Sequence, residues 1–291
     1  MTKHSFSATW FACLLVVFLM GSSYALAARP AQDEPIRIVS LDGTVSEILC
    51  DLGLQSLIIG VDVTSTYPET LKKLPKVGHN RSISAEGVIS LKPTLVLTST
   101  NAGTKSEVIE QIKSAGIKVI TFQQEFSVAG TKKLIQDIAT TCQVGSRAKP
   151  LIKKLESDLA QVKKAPNSPK VLFIYARGTG TMMVSGRGTP IEKMIELAGG
   201  VNATPDFENY KPLTAEALVT ANPDVILLFD SGLESLGGTA GLLAVQGIAQ
   251  TNAGKNSRVI VMDGHLLSGF SPRLGKALQE LSQKISQKPK A

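Results

Sequence analysis

The sequence predicts an α/β protein of two similar lobes with mostly parallel sheets, joined by one long rigid helix, with a ligand cleft between the lobes. Three observations carry this. Short apolar strand patterns alternate with helical patterns in both halves of the chain, as in a largely parallel sheet. An eighteen-residue amphipathic stretch, 147–164, stands between the halves. A fifteen-position segment of the first half recurs without a gap in the second.

Residues 36–41 are an apolar strand pattern, followed by the polar turn Asp42-Gly43-Thr44, a helical stretch over 45–52 and a second strand over 58–63. The unit repeats with a buried strand at 94–98, a helix at 105–115 ended by Gly116, and a strand at 118–122. From about Val128 the pattern is helical. The stretch 147–164 places Leu151, Ile152, Leu155, Leu159 and Val162 on one face, and at 1.5 Å per residue it makes a rod of roughly 27 Å. Ala165-Pro166-Asn167-Ser168-Pro169 ends it. Strand and helix then resume: a strand at 171–175, a helix at 190–198 ended by Gly199-Gly200, and a strand at 225–229. The recurring segments are 83–97 and 213–227, in which Ser84-Ala85-Glu86 matches Thr214-Ala215-Glu216, and Lys92-Pro93-Thr94 matches Asn222-Pro223-Asp224. One internal pair is too few for a solenoid, which needs three or more units. The division expected is a first lobe over 28–145, a connecting helix over 146–166 and a second lobe over 167–291, with small molecules bound between the lobes.

The amino terminus has Lys3 and His4, an apolar run from Ala8 to Met20, then Ala25-Leu26-Ala27. That is a secretory signal peptide pattern, expected to be cleaved after Ala27. The run is shorter than the roughly 20 residues of a bilayer span. Cys13 lies within it, in a context unlike that of a lipoprotein cysteine, so residues 1–27 are read as leader and the product as soluble. Lys3 is the leader's one charged residue, so the formal net charge of +7 becomes +6 on maturation. The excess is moderate, with no long Lys/Arg run or aromatic stacking motif, which argues against nucleic acid. It suits an anionic ligand or surface. Cys50 and Cys142 remain, either paired in an oxidising compartment or as two buried thiols. Two mature histidines, His79 and His265, are too few for a bare zinc or manganese site. No G-x-S-x-G elbow, H-E-x-x-H pair or Cys-His pairing supports an enzyme. The glycine-rich segments 178–181 and 185–188 lack the spacing of a phosphate loop and read as turns, with Met182 and Met183 as apolar surface for cleft or core.

Across the mature chain, Arg37-Ile38-Val39-Ser40-Leu41, Val61-Asp62-Val63-Thr64-Ser65-Thr66-Tyr67-Pro68, Leu74-Pro75-Lys76-Val77-Gly78, Ser84-Ala85-Glu86-Gly87, Tyr210-Lys211-Pro212-Leu213 and Gly269-Phe270-Ser271-Pro272-Arg273 occur in order. This set resembles the substrate-binding proteins of ABC importers in which a single helix joins two α/β lobes, and among them the periplasmic haemin-binding proteins. The resemblance implies a periplasmic, monomeric carrier that takes ferric haem from an outer-membrane receptor system to a dimeric ABC permease with its ATPase. Siderophore and cobalamin carriers share the architecture and are the alternative. It places the haem-ligating tyrosine at Tyr67, a phenolate being a suitable axial ligand for ferric iron. Where some relatives carry a second-lobe histidine, this chain has Arg177. That implies five-coordinate iron and leaves Arg177 either beside the phenolate, on a propionate, or exposed after its strand. Arg81, Lys72, Lys73, Arg187 and Arg273 are candidate propionate partners. Tyr210 and His79 are candidates to line the cleft, though His79 suits a structural role equally well, and for His265, in the turn after Asp263-Gly264, the structural role is the expectation. Glu86 and Glu216 start equivalent helices, where an acid is favoured by the helix dipole. The resemblance implies that both dock on permease arginines, an arrangement that sets orientation and association rate.

Overall fold

The computed structural model describes residues 35–79 and 81–287, so the expected leader at 1–27 lies outside the described residues. The chain from Ile36 onward is one compact unit. Its first half runs β1 (Ile38–Ser40), α1 (Gly43–Asp51), β2 (Ile58–Val61), β3 (Gly78–His79), β4 (Ser82–Ile83), α2 (Ala85–Ser90), β5 (Leu95–Ser99), α3 (Ser106–Ser114), β6 (Lys118–Phe122) and α4 (Val128–Thr141). The helix α5 (Ala148–Ala160) follows. The second half runs β7 (Lys170–Ala176), β8 (Met182–Ser185), α6 (Pro190–Leu197), β9 (Val201–Asn202), β10 (Tyr210–Pro212), α7 (Ala215–Ala221), β11 (Val225–Phe229), α8 (Asp230–Ser235), α9 (Gly238–Leu243), α10 (Asn252–Lys255), β12 (Val259–Met262), α11 (Gly264–Ser268) and α12 (Leu274–Ser286).

The first sheet has the order β2-β1-β5-β6 and every pairing in it is parallel. Its central strands are continuous apolar runs, with Ile38, Val39, Val96 and Leu97 buried, because helices cover both faces. The second sheet has the order β10-β8-β7-β11-β12, with β9 also on β7. It is parallel through β7, β11 and β12 and antiparallel at β8 and β10. The expected turn over 178–181 leads into β8, so Met182 and Met183 are strand residues. The recurring segments fold alike. The Ser84 hydroxyl caps α2 by accepting from Gly87 N at 3.0 Å, the Thr214 hydroxyl caps α7 from Ala217 N at 3.1 Å, and each helix leads into a buried parallel strand.

Two elements depart from the sequence reading, and a third lies outside it. The Asp42 turn is the cap of α1: its carboxylate accepts from Thr44 N at 2.7 Å and Val45 N at 3.0 Å, so the helix begins at Gly43. The helix expected over 147–164 is shorter, with a 3₁₀ turn at Gly145–Arg147 and α helix only over Ala148–Ala160. At 1.5 Å per residue that is about 20 Å. Beyond it the backbone serves the second lobe instead: Lys163 O accepts from Ser282 Oγ, and Ala165 N donates to Ala198 O at 2.8 Å. The third is α12, whose apolar residues Leu274, Ala277, Leu278, Leu281 and Ile285 are buried on one face. It lies so close to α5 that a Cβ on Gly275 would come within 2.5 Å of Asp158 Cβ.

The lobes are tied at a second place besides α5. The segment after β12 returns to the first lobe, where Gly269 O accepts from Thr44 Oγ1 at 2.8 Å and from Gln124 Nε2 at 2.9 Å, and Phe270 O accepts from Thr131 Oγ1 at 3.1 Å. Phe270 is buried and packs on Phe126, ring centroids 5.5 Å apart. Its φ of +47° is a conformation that a bulky residue adopts at a cost of about 1–3 kcal/mol. Burial of a phenylalanine offsets a cost of that size. One apolar cluster runs through both halves, from Val45, Ile48 and Leu134 to Phe173, Met194 and Leu278.

Candidate functional site

Tyr67 lies on the loop that leaves the carboxyl end of β2, the end at which open α/β sheets bind ligands. The loop is built from its first residues upward. Asp62 is fully buried, and its carboxylate accepts from Thr64 N at 2.9 Å, Ser65 Oγ at 2.6 Å and the Thr64 hydroxyl. Burial raises the Asp62 carboxyl above its ordinary range, and these donors work against that rise. Ser65 Oγ also meets Ser46 Oγ of α1 at 2.8 Å. From the far side Lys76 Nζ donates to Leu71 O at 2.8 Å and Ser65 O at 3.3 Å. Tyr67 stands on this braced loop with 39% of its surface exposed.

One face of the Tyr67 ring is covered by Arg273, whose Cζ lies 3.6 Å from the ring centroid. The guanidinium is held in turn by Glu47 of α1: Nε donates to Oε1 at 3.0 Å and Nη2 to Oε2 at 2.8 Å. Ser271 Oγ donates to Glu47 Oε1 at 2.7 Å, and His265 Nε2 faces Oε2 at 3.4 Å without the alignment of a hydrogen bond. The Glu47 side chain is fully buried, so this is a desolvated charge cluster joining α1 to the segment after β12. Burial pushes the Glu47 carboxyl up, but the contacts of His265 and Arg273 outweigh it and hold the group below its ordinary value. For His265, burial favours the neutral ring, and Glu47 prevails in raising its value. His265 therefore occupies the structural place expected for it.

The remaining candidates are distributed as follows. Arg177 is exposed after β7, with its Cζ 5.6 Å from the ring of Tyr175; the arginine stacked on Tyr67 is Arg273. Arg273, expected as a propionate partner, has its Nε and Nη2 committed to Glu47. His79, on β3, accepts the Arg81 backbone N–H at Nδ1 at 3.3 Å. The Arg81 side chain packs along Gly103, and its charge acts on Tyr210 of the second lobe. Partial burial raises the Tyr210 phenol, with Ser185 and Arg81 opposing it. Lys72 pairs with Glu69 at 2.7 Å on an exposed turn, where such pairs contribute little. Arg187 is exposed, its backbone bonded to Phe207 and Asn209. Glu86 and Glu216 are exposed at the first turns of α2 and α7, and neither has an ion-pair partner among the described residues. A cavity of about 380 Å³ beside α7 is lined by Met182, Leu213, Ala215 and Val245, and Tyr67 does not line it. Among the described residues no group of three His, Cys, Asp or Glu could hold a bare metal ion.

Residues 38–266 match the model of the family described as periplasmic binding protein. The chain belongs to the periplasmic binding protein family. Its members are binding proteins rather than enzymes. Among solved structures, the chain is similar to the periplasmic heme-binding protein RhuT from Roseiflexus sp. RS-1 in apo form, with TM-score 0.83 and 39% identity over 86% of this chain and 98% of that one. It is 32% identical to YvrC of Bacillus subtilis, an uncharacterised ABC transporter substrate-binding lipoprotein, over 87% of this chain and 80% of that protein. It is 25% identical to a vitamin B12-binding protein of Vibrio vulnificus, over 93% and 94%. As a member of this family the chain has the two-lobed α/β architecture, and no helix among the described residues is long and apolar enough to cross a membrane.

Glu47 was not singled out by sequence reasoning. Helical periodicity does not mark it: Glu47 falls on the side of α1 away from Val45, Ile48 and Leu49, and it is buried because tertiary packing covers the whole run from Gly43 to Leu49. A carboxylate at a core position requires a partner elsewhere.

Proposed function

We propose that the protein captures ferric haem between its lobes, with the Tyr67 phenolate as axial ligand, and delivers it to a dimeric ABC permease and its ATPase. The observation that carries this is Tyr67 itself, a half-exposed phenol on a loop braced from both sides, with a fixed guanidinium against its ring. A phenolate is a hard anionic donor suited to ferric iron. A solved heme-binding protein at 39% identity supports the same cargo. Arg81, Arg177, Arg187 and Lys73 are cations placed to meet propionates, Lys72 can do so by leaving its exposed pair with Glu69, and Tyr210 and His79 line the approach. Arg177 in place of a histidine gives five-coordinate iron. Glu86 and Glu216 dock on the permease. The chain is exported by a leader cleaved after Ala27, works as a monomer in the periplasm and receives haem from an outer-membrane receptor system; its lobes are 28–145 and 167–291.

The test is an optical titration of the mature apo protein with ferric haemin, beside Tyr67→Phe and with cobalamin and a ferric siderophore as controls. A saturable Soret change with a phenolate-to-iron charge-transfer band, lost in the variant, is the expected result. Saturable cobalamin binding without a haemin signal overturns the cargo and supports the second reading, which the vitamin B12-binding relative favours.

A further inference from the structure

We propose that Glu47 is a positioning residue for cargo capture: through Arg273 it fixes the ring of Tyr67, so that the ligand on one lobe is set by a buried contact with the other. The inference rests on Tyr67 being the cargo ligand. The chain of contacts is short and each link is tight. Glu47, 0% exposed, takes both Nε and Nη2 of Arg273 in a bidentate pair, which fixes the guanidinium plane as a lysine could not. The Arg273 Cζ lies over the Tyr67 ring, 3.6 Å from the centroid. Arg273 is also held at its backbone, where its N–H donates to Ser271 Oγ at 3.2 Å and Ser271 Oγ donates to Glu47. The carboxylate thus aligns both ends of the 271–273 segment.

Two consequences follow for the phenol. A ring with a guanidinium fixed on one face cannot rotate freely, so the orientation of its oxygen is settled before cargo arrives, which lowers the ordering cost of binding. A guanidinium fixed beside the ring also attracts the negative charge that the oxygen carries once it is bonded to iron. Glu47 neutralises part of that attraction, so orientation is the larger effect.

The experiment compares wild type, Glu47→Gln, Arg273→Lys and Tyr67→Phe as mature proteins. Thermal melts identify the variants that fold. Arg273→Lys keeps the charge and an ion pair with Glu47 but removes the planar stack, so it carries the test where Glu47→Gln does not fold. Tyrosine ¹³Cζ NMR of the apo proteins reports the Tyr67 environment without any cargo, and ferric haemin titration reports affinity and the charge-transfer band. The expected result is a moved or broadened Tyr67 resonance in the folded variants, with haemin affinity lowered about tenfold or more and the band displaced. An unchanged resonance, or a changed resonance with wild-type affinity and band, overturns the proposal, leaving Glu47 a purely structural residue. If wild type does not bind haemin, the cargo reading fails while the NMR comparison still decides whether Glu47 positions Tyr67.

Discussion

Replacing Glu47 by alanine strips the contact between α1 and the 265–273 segment of its acceptor. Arg273 loses bonds of 3.0 and 2.8 Å, Ser271 loses one of 2.7 Å, and His265 loses its counter-charge. Because the Arg273 side chain is only 14% exposed, its charge stays largely desolvated after the carboxylate is gone. Removing one partner of a buried pair in this way costs about 3–5 kcal/mol. For a chain of this size each kcal/mol moves the melting temperature by about 2–4 °C, so the midpoint falls by roughly 6–20 °C. The sign of the second substitution is diagnostic. In the Glu47→Ala, Arg273→Met double variant the orphaned charge is removed as well, and the loss is smaller than the sum of the single losses. The assay is urea unfolding followed by circular dichroism on the four proteins of the cycle. Additive losses, or a Glu47→Ala cost below about 1 kcal/mol, would refute the claim that this pair joins the lobes.

Three further outcomes follow from the same geometry. The folded value of His265 is raised, so its contribution is complete below pH 6.5 and is lost as pH rises through the higher folded value; that of Glu47 is lowered, so its contribution holds above pH 4.5 and fades as pH falls through the folded value. The melting-temperature advantage of wild type over His265→Gln is therefore largest between these limits and shrinks on the alkaline side; an advantage that grows with pH contradicts the assignment. Charge reversal of both Glu86 and Glu216 to lysine changes stability by about 1 kcal/mol per site at most, as expected of exposed first-turn acids, and leaves haemin titration unchanged. Uptake through the reconstituted permease is expected to be lost, and normal uptake removes the docking assignment. Burial, then the charges of Asp51 and Glu47, push the Cys50 thiol up to about 12, so it reacts with iodoacetamide at pH 8 far more slowly in the folded than in the unfolded protein. Mass spectrometry of the alkylated protein checks this.

Much of the architecture was legible because its signals are local. The strands at 118–122 and 225–229 are where apolar runs place them, and the Ser84 and Thr214 caps begin the two equivalent helices. The end of α5 was not legible, since its pattern continues to Val162 and the helix stops where Lys163 and Ala165 find partners in the second lobe. The last helix carries its own local signal, with Leu274, Ala277, Leu278, Leu281 and Ile285 at helical spacing. Tyr67 was singled out through the family resemblance, not by any local pattern. Its neighbour Arg273 was recognised as a cation and assigned to a carboxylate of the cargo, whereas the carboxylate it meets is Glu47, 226 positions earlier. A pairing across that separation is decided by tertiary packing, which no local pattern encodes.

The return of the chain from β12 to α1 has a consequence for the order in which the molecule can be completed. Synthesis produces the acid of the first helix long before the arginine, serine and histidine that surround it. Until residues 265–273 arrive, Glu47 lacks the arginine, serine and histidine that surround it, and burying its carboxylate would desolvate a lone negative charge. The first lobe is therefore not a self-sufficient piece: cut off after α5, it would have to keep water at Glu47 or protonate it. Two lobes that look alike and separable on paper become one cooperative body only when the final two dozen residues are in place.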